Sequence, residues 1–534
     1  MATNDESDHA FRVPKKPGIE RLLLAGAVAA GCLIVLIVGA VAIVARNTGV
    51  STTSSPIYAL LGALIVATIL IVAGTQGKGP LPAMAGRLPR QLDGALRRRP
   101  IVGWMSFTLT AVALIQIARL SCFMADPALR WGSAYPPVEF GVSHMCISAY
   151  VQAGDLSRRH DPNVYAEEHY PAYSSEQSTN APPPTTSVKN LGPYLRDAYE
   201  YPPPFLLLPR AALVLTNDFL MIRTGWFMLQ LPLFCALALA LAGFVGGSRG
   251  MLAGLLVPAM LASFPFLFNF QFGQFHLAAI MLAVAGMLLF SRGRNVLGGA
   301  LLAGALVTKV FPGLLLVYLA VRRQGRPILW TMIFAAIYVV IGFFVVGPEP
   351  YRAFFEYHLP RLASGEAFRF NLFNDLTLAT NASIFAIPFK LQRLGVPGMS
   401  VQTAIVLTWF YTAALFVVAI VAARTHRLPS LEPLIWLGLL TLGSLRSPDA
   451  PNVYIGTSAL WALTFLAVET RGHVTHVGLF AAVWMIVNVI PPPRDPEATI
   501  ILWMFCQLVL VLVGFFLVLH RPGAAALNTG GKDS

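Results

Sequence analysis

The sequence predicts an all-α polytopic membrane protein built as one large helical unit, and three observations predict it. Of 534 residues, 56% are hydrophobic and only 12% are charged. Typical globular domains carry about 25% charged residues, so this chain has too few to coat several soluble domains. Apolar runs of spanning length recur along it, and the basic residues fall mostly between those runs. A formal charge of +13, from 38 Lys+Arg against 25 Asp+Glu, would suggest nucleic acid on a soluble chain. Placed between apolar runs, it marks the loops that stay inside the cell, and no nucleic-acid partner is expected.

A bilayer core of about 30 Å takes roughly 20 apolar residues in a helix. The runs 20–45, 56–74, 101–124, 221–246, 252–270, 276–291, 327–346, 401–422, 453–469, 474–490 and 498–519 meet that need. Three more are short: 296–308, 310–321 and 432–444. The first two of these read as a tight hairpin around Lys309 and Pro312, since broken helices are tolerated at membrane depth where they face protein or water. The run 20–45 is longer than the apolar part of a cleaved signal peptide, and no small-x-small site follows it convincingly, so it reads as a signal anchor. Pro209 and Arg210 interrupt 203–215, which is expected to re-enter or lie at the interface.

Orientation follows from the short loops. Arg12, Lys15 and Lys16, the run Arg97-Arg98-Arg99, Arg292, Arg294, Arg322, Arg323, Arg471 and Arg521 collect on one side, whereas the opposite short loops hold only Arg46, Lys309, Arg446 and Arg494. The positive-inside rule then puts both termini in the cytoplasm, and fourteen spans satisfy that parity. Residues 1–19 become a cytoplasmic tail, 20–100 two spans with a basic linker, 101–519 the core, and 520–534 a second cytoplasmic tail. The Arg97-Arg98-Arg99 run anchors to lipid headgroups. The expected location is a bacterial-type inner (plasma) membrane, crossed many times.

Two long outer loops interrupt the core, about 125–200 and 347–400. The first holds much of the chain's acid, including Asp126, Glu139, Asp155, Asp161, Glu167, Asp197 and Glu200. Loops on a rigid scaffold carry function, so the chemistry is expected to face outward. A nucleotide-fuelled reaction would need an inner phosphate-binding loop, and neither G-x-x-x-x-G-K-[ST] nor G-x-G-x-x-G appears in a suitable place. An outward site without a cofactor motif needs an activated substrate already in the membrane. Lipid-linked sugars, with a phosphate at the surface, meet that requirement.

Several local features bear on such a site. Glu200-Tyr201-Pro202-Pro203-Pro204 closes the first loop, and a stiff polyproline entry into a helix accounts for it equally well. Gly273-Gln274-Phe275-His276 forms an outer turn whose Gln and His could also bind a polar headgroup. Lys309, set in an apolar hairpin, is either a snorkelling lysine or a phosphate ligand. Arg446 has Asp449 nearby in sequence as a simple partner, and Cys122 with Cys146 would be near enough to the outer face for a disulfide. None of the five cysteines forms a C-x-x-C pair, which argues against a disulfide scaffold, a zinc site or a redox site. The tract 181–187 is a Pro-rich part of the first loop and nothing more.

Taken in order, three motifs resemble a known family. They are Tyr150…Gly154…His160-Asp161-Pro162-Asn163-Val164-Tyr165; Tyr201-Pro202-Pro203-Pro204-Phe205 through Pro209; and Gly273-Gln274 followed by Ser291-Arg292-Gly293-Arg294 and Lys309-Val310-Phe311-Pro312. With them, residues 101–519 resemble the polyprenyl-phosphate-sugar-dependent glycosyltransferases of family 87, in the GT-C superfamily. The resemblance implies a GT-C-like helical bundle of about 12 core spans, with two N-terminal spans added and a long periplasmic first loop. It also implies an inverting, metal-independent transfer of a hexose, often mannose, from a polyprenyl-phosphate donor to a glycan or glycolipid acceptor. No cofactor is implied beyond the lipid-phosphate sugar as co-substrate. The family's early acidic position falls near His144, so the expected base is His144, Glu139 or Asp126. Lys309 and Arg369 are expected at the donor phosphate, and Tyr201, Gln274 and His276 at the sugar or acceptor. The late outer loop, Ser447-Pro448 through Tyr454, lacks the family's aromatic-His pair.

Two rival classes remain at this stage. A transporter or flippase of lipid-linked or polar solutes would show internal repeats with matched broken helices, and the sequence has no such repeat. A non-catalytic relative would bind glycolipid without turnover.

Overall fold

The computed structural model describes residues 100–520 except 137–138, 171–184, 196, 369–374, 426–430, 470–472 and 489–494, together with Val38, Ala40 and Val41. The expected spans 20–45 and 56–74 fall outside the described residues, those three apart, as do Arg369 and the tract 181–184.

Everything regular among the described residues is helical, apart from two isolated bridges. In chain order the main helices are α1 (Pro100–Ala125), α2 (Cys146–Arg158), α3 (Leu207–Leu215), α4 (Phe219–Val245), α5 (Gly247–Leu255), α6 (Val257–Leu261), α7 (Phe264–Phe272) and α8 (Phe275–Ser291). There follow α9 (Asn295–Thr308), α10 (Leu314–Val321), α11 (Gly325–Val346), α12 (Val401–Thr425), α13 (Glu432–Ser444), α14 (Asn452–Ala467), α15 (His473–Asn488) and α16 (Pro496–Leu519). Their ends fall within a few residues of the apolar runs. Each run stops where Gly, Pro or a charged turn intervenes, as at Gly246 (φ 69°) and Gly347 (φ 94°).

Among the described residues five helices are long and apolar enough to cross a membrane, or up to six if a bent pair counts as one span. The bent pair corrects the run 252–270, which is not one straight helix. Arg249–Leu261 and Phe264–Phe272 meet at 64°, because Pro265 in the first turn of α7 brings no amide to continue the ladder. Six further apolar helices are 10–17 residues long. One is Pro203–Leu215, a 3-10 turn leading into α3, whose 13 residues reach only about 20 Å, short of the hydrocarbon thickness.

Burial separates an inner and an outer layer. Along α14 nearly every residue is buried, Trp461 at its middle included. In α11, by contrast, only Pro327, Thr331, Gly342 and Val346 are buried, and Phe344 is 81% exposed. A helix so apolar and so uncovered is one that faces lipid tails. Small residues bring the layers together: a Cβ on Gly299 would lie 2.6 Å from Trp330 Cβ, and one on Gly286 2.9 Å from the Gly298 carbonyl oxygen.

The first long loop is a packed subdomain. Its helix α2 is almost wholly buried. Gly154 brings it against Pro209, and Gly273, at φ 64°, brings it against Ile147, which a Cβ would meet at 2.8 Å. Gln271 of α7 ties down the preceding segment, accepting from the Ala134 amide at 2.6 Å and donating to the Gly141 carbonyl. Asp155 anchors the far end of α2. Its fully buried carboxylate takes the Ser187 hydroxyl (2.6 Å) and amide (3.1 Å) and pairs with Arg158 (2.8 Å) and Arg159 (3.1 Å). The disulfide that the sequence allows between Cys122 and Cys146 is not formed; both are free and buried.

Asp155 supports a stability prediction. Burial by itself would raise its pKa, but the Ser187 bonds and the two arginines outweigh burial and hold the carboxyl below its usual range. An unfolded Asp titrates at about 3.9. The contribution of Asp155 is therefore fully present above that pH and is lost as pH falls through the lower native value. Asp155→Asn is expected to cost about 1–3 kcal/mol at neutral pH, read as a lower melting temperature, with a smaller difference from wild type in acid.

Candidate active site

The candidate site forms where α2, the end of the first loop, α8, the α9–α10 break and the start of α14 converge. Tyr150 of α2 and Tyr201 of the loop place their hydroxyls 2.9 Å apart, and both donate to Gln274 Oε1 at 2.6 Å. Gln274 sits at the N-cap of α8, just after the left-handed Gly273. Tyr201 is fixed by stacking on Phe205 at 4.3 Å, a consequence of the Pro202-Pro203-Pro204 entry into a 3-10 turn. Burial pushes both phenols well above their ordinary pKa, so they remain donors.

Lys309 lies at the break after α9. Thr308 ends that helix by turning its hydroxyl back to the Gly304 and Ala305 carbonyls at 2.8 Å, and Lys309 is extended. A cation there is favoured by the helix C-terminus. Its Nζ stands 4.6 Å from the centroid of the Tyr201 ring, a cation–π contact, within the fields of Asp449 and Glu200. His276, in the first turn of α8, stacks on Phe311 at 4.8 Å and lies 3.3 Å from the Ser444 hydroxyl.

On the other side of Gln274 lies a second polar group. Gln274 Nε2 is 3.7 Å from Cys146 Sγ, which is 3.2 Å from the Tyr454 hydroxyl and 3.4 Å from His144 Nε2. His144 Nε2 in turn lies 3.4 Å from Asp197 Oδ2, with its ring edge-on to Phe272 at 4.5 Å. His144 is buried, whereas Asp197 is about one-fifth exposed and so keeps contact with water. A ring nitrogen of His144, Cys146 Sγ and an Asp197 oxygen lie within 4.8 Å of one another, a donor set that a divalent metal could use. Cys146 itself is no nucleophile: burial and the neighbouring Asp197 push its thiol well up, outweighing Tyr454 and Lys309.

Two other expected residues lie elsewhere. Glu139 is exposed on a short helix and paired with Arg130. Asp126 is buried just past α1, where Oδ1 accepts the Ala128 amide at 3.0 Å. Among the described residues neither has a contact that joins it to the cluster. Asp197, Cys146, Tyr454 and Asp449 are the members that sequence reasoning did not select. The signal for Asp197 was its position four residues before Tyr201 in the same loop.

The second long loop is clasped onto the first. His358 Nε2 is 3.0 Å from Glu200 Oε2, the His358 ring stacks on Tyr165 at 4.4 Å, and Arg361 pairs with Glu167. His358 belongs to a π-helical turn, Phe354–His358, a local form frequent at functional sites.

Residues 199–448 match the family model of glycosyltransferase family 87. That stretch opens just before Tyr201 and takes in Gln274, His276 and Lys309, while His144, Cys146 and Asp197 precede it and Asp449 and Tyr454 follow. No curated protein and no solved structure matches the chain. A helical membrane chain with Tyr201, Gln274, His276 and Lys309 of its buried polar cluster in that stretch agrees with the match. Over residues 199–448 the chain is similar to glycosyltransferase family 87, and that similarity indicates a glycosyltransferase.

Proposed function

We propose that the protein transfers a hexose, mannose by resemblance, from a polyprenyl-phosphate donor to a glycan or glycolipid acceptor at the outer membrane face, with inversion. The observation that carries the proposal is a single cluster holding a carboxylate–imidazole pair and a lysine at its two ends. The His144–Asp197 pair and Lys309 are linked through Cys146, Gln274 and Tyr201.

In this mechanism the acceptor oxygen attacks the anomeric carbon as its proton passes to the His144–Asp197 pair. The bond from that carbon to the phosphate oxygen breaks, and its electron pair leaves on the lipid phosphate. An inverting displacement needs base and cation on opposite sides of the reacting carbon, and the cluster separates them by several residues. General base assistance of this kind contributes about 10²–10⁴-fold. Lys309 opposes the charge that develops on the phosphate. Tyr150, Tyr201 and Gln274 orient sugar hydroxyls, and His276 lines the same wall. Arg369 is a second cation proposed for the phosphate. Side chains supply both the base and the cation, so the reaction is written without a metal ion or cofactor.

The test is the purified chain in liposomes with a radiolabelled polyprenyl-phosphate hexose and a mixture of short glycan and glycolipid acceptors. The expected result is labelled product, with a rate unchanged by added Mg²⁺ or Mn²⁺. Transfer from a nucleotide sugar only, or uptake of label with no product, overturns the proposal.

A further inference from the structure

A second cluster lies at the other end of the bundle. Tyr454, in the first turn of α14, reaches the candidate active site, while Glu469 follows the last turn of that helix. Fifteen residues separate them, about 22 Å at helical rise. There Glu469 Oε2 is 2.7 Å from His520 Nε2 and 3.9 Å from His476 Nδ1. The two imidazole rings stand 5.3 Å apart at 85°. One ligand atom from each of the three residues lies within 4.8 Å of the others.

We infer that Glu469, His476 and His520 form a divalent-cation site of the kind zinc fills, with its fourth position left to water. Two imidazole nitrogens and one carboxylate oxygen are a common zinc donor set. The three residues come from three elements, the end of α14, the first turns of α15 and the C-cap of α16. Glu469 and His476 are buried, and the His520 side chain is 13% exposed, so the donors are already withdrawn from water. Tetrahedral zinc with bonds of about 2.0–2.2 Å holds its ligand atoms roughly 3.3–3.5 Å apart. The two edges from Glu469, 2.7 and 3.9 Å, bracket that value, and every edge of the triangle is within 4.8 Å. Glu469 also lies in the field of Arg249, and the ion must outcompete that guanidinium. Once bound, it fastens the C-terminal end of α16 to α14 and α15.

The experiment uses the full chain in detergent, stripped with chelator and titrated with Co²⁺. The expected result is one equivalent of cobalt giving the visible absorption of a four-coordinate centre, displaced by Zn²⁺. Affinity is expected to fall at least tenfold in His476→Ala and in Glu469→Gln, and to persist in Cys146→Ser. Absence of those bands overturns the inference and leaves an ion-pair cluster only; so does a centre that survives His476→Ala but is lost in Cys146→Ser. If the histidine variant fails to fold, mass spectrometry of wild type after diethylpyrocarbonate decides. Zinc is expected to protect His476 and His520, and equal labelling with and without zinc overturns the site. Neither readout passes through sugar transfer, so the site stands or falls apart from the proposed activity.

Discussion

Asp197→Asn and His144→Ala are each expected to lower the turnover of sugar transfer by about 10²–10⁴-fold with little change in donor KM. The pair is joined at 3.4 Å and acts as one proton acceptor, so removing either member removes the base. For the same reason the double variant should be scarcely worse than the worse single one, the non-additivity of groups that act as a unit. A structural role for His144 would instead lower the melting temperature and make the two losses additive. Glu139→Gln serves as the control. Its carboxylate is exposed and paired with Arg130, and the expected rate stays within about twofold of wild type, since an exposed pair contributes little. Full transfer in both Asp197→Asn and His144→Ala assigns the base elsewhere, with Asp126 the next residue to replace.

Lys309→Gln is the second large effect, about 10²–10³-fold in turnover, the size seen when one preorganised donor to a developing anion is removed. Lys309→Arg should recover part of the rate, since the charge returns but the guanidinium fits the space over Tyr201 differently. The discriminating measurement is the leaving group. With a hexosyl donor whose leaving group is a weaker base than the lipid phosphate, the Lys309→Gln deficit should shrink, because less charge remains to be stabilised. An equal deficit with both donors would show that Lys309 positions the chain rather than acting on the phosphate.

The helices were legible because apolar length alone defines them: α4, α9 and α16 lie within two residues of the runs 221–246, 296–308 and 498–519. The bend between α6 and α7 was marked by Pro265, but an apolar window reads across a proline. Within the site, Tyr201, Gln274, His276 and Lys309 stood out because each is a polar group set against apolar neighbours or in a Gly or Pro turn. The base was harder. Glu139 and Asp126 were named for lying near the expected acidic position in sequence, yet Glu139 faces water. Asp197 meets His144 only through the folding back of the loop, and Cys146 meets Tyr454 across 308 residues of chain. No local pattern encodes contacts of that range. The cation cluster at the opposite end was hidden for the same reason, its ligands lying in three separate elements.

The clasp between the outer loops also sets a timetable for biosynthesis. Glu167 and its partner Arg361 are 194 residues apart. At about 5–20 residues added per second, the first loop waits roughly 10–40 s on the ribosome's schedule before its counterpart emerges. During that interval Tyr165 lacks the His358 ring that will later cover it, and the nascent loop presents aromatic surface to whatever is nearby. Truncations ending before α12 should therefore be better substrates for quality-control proteases when cut ahead of residue 354 than when cut after residue 368.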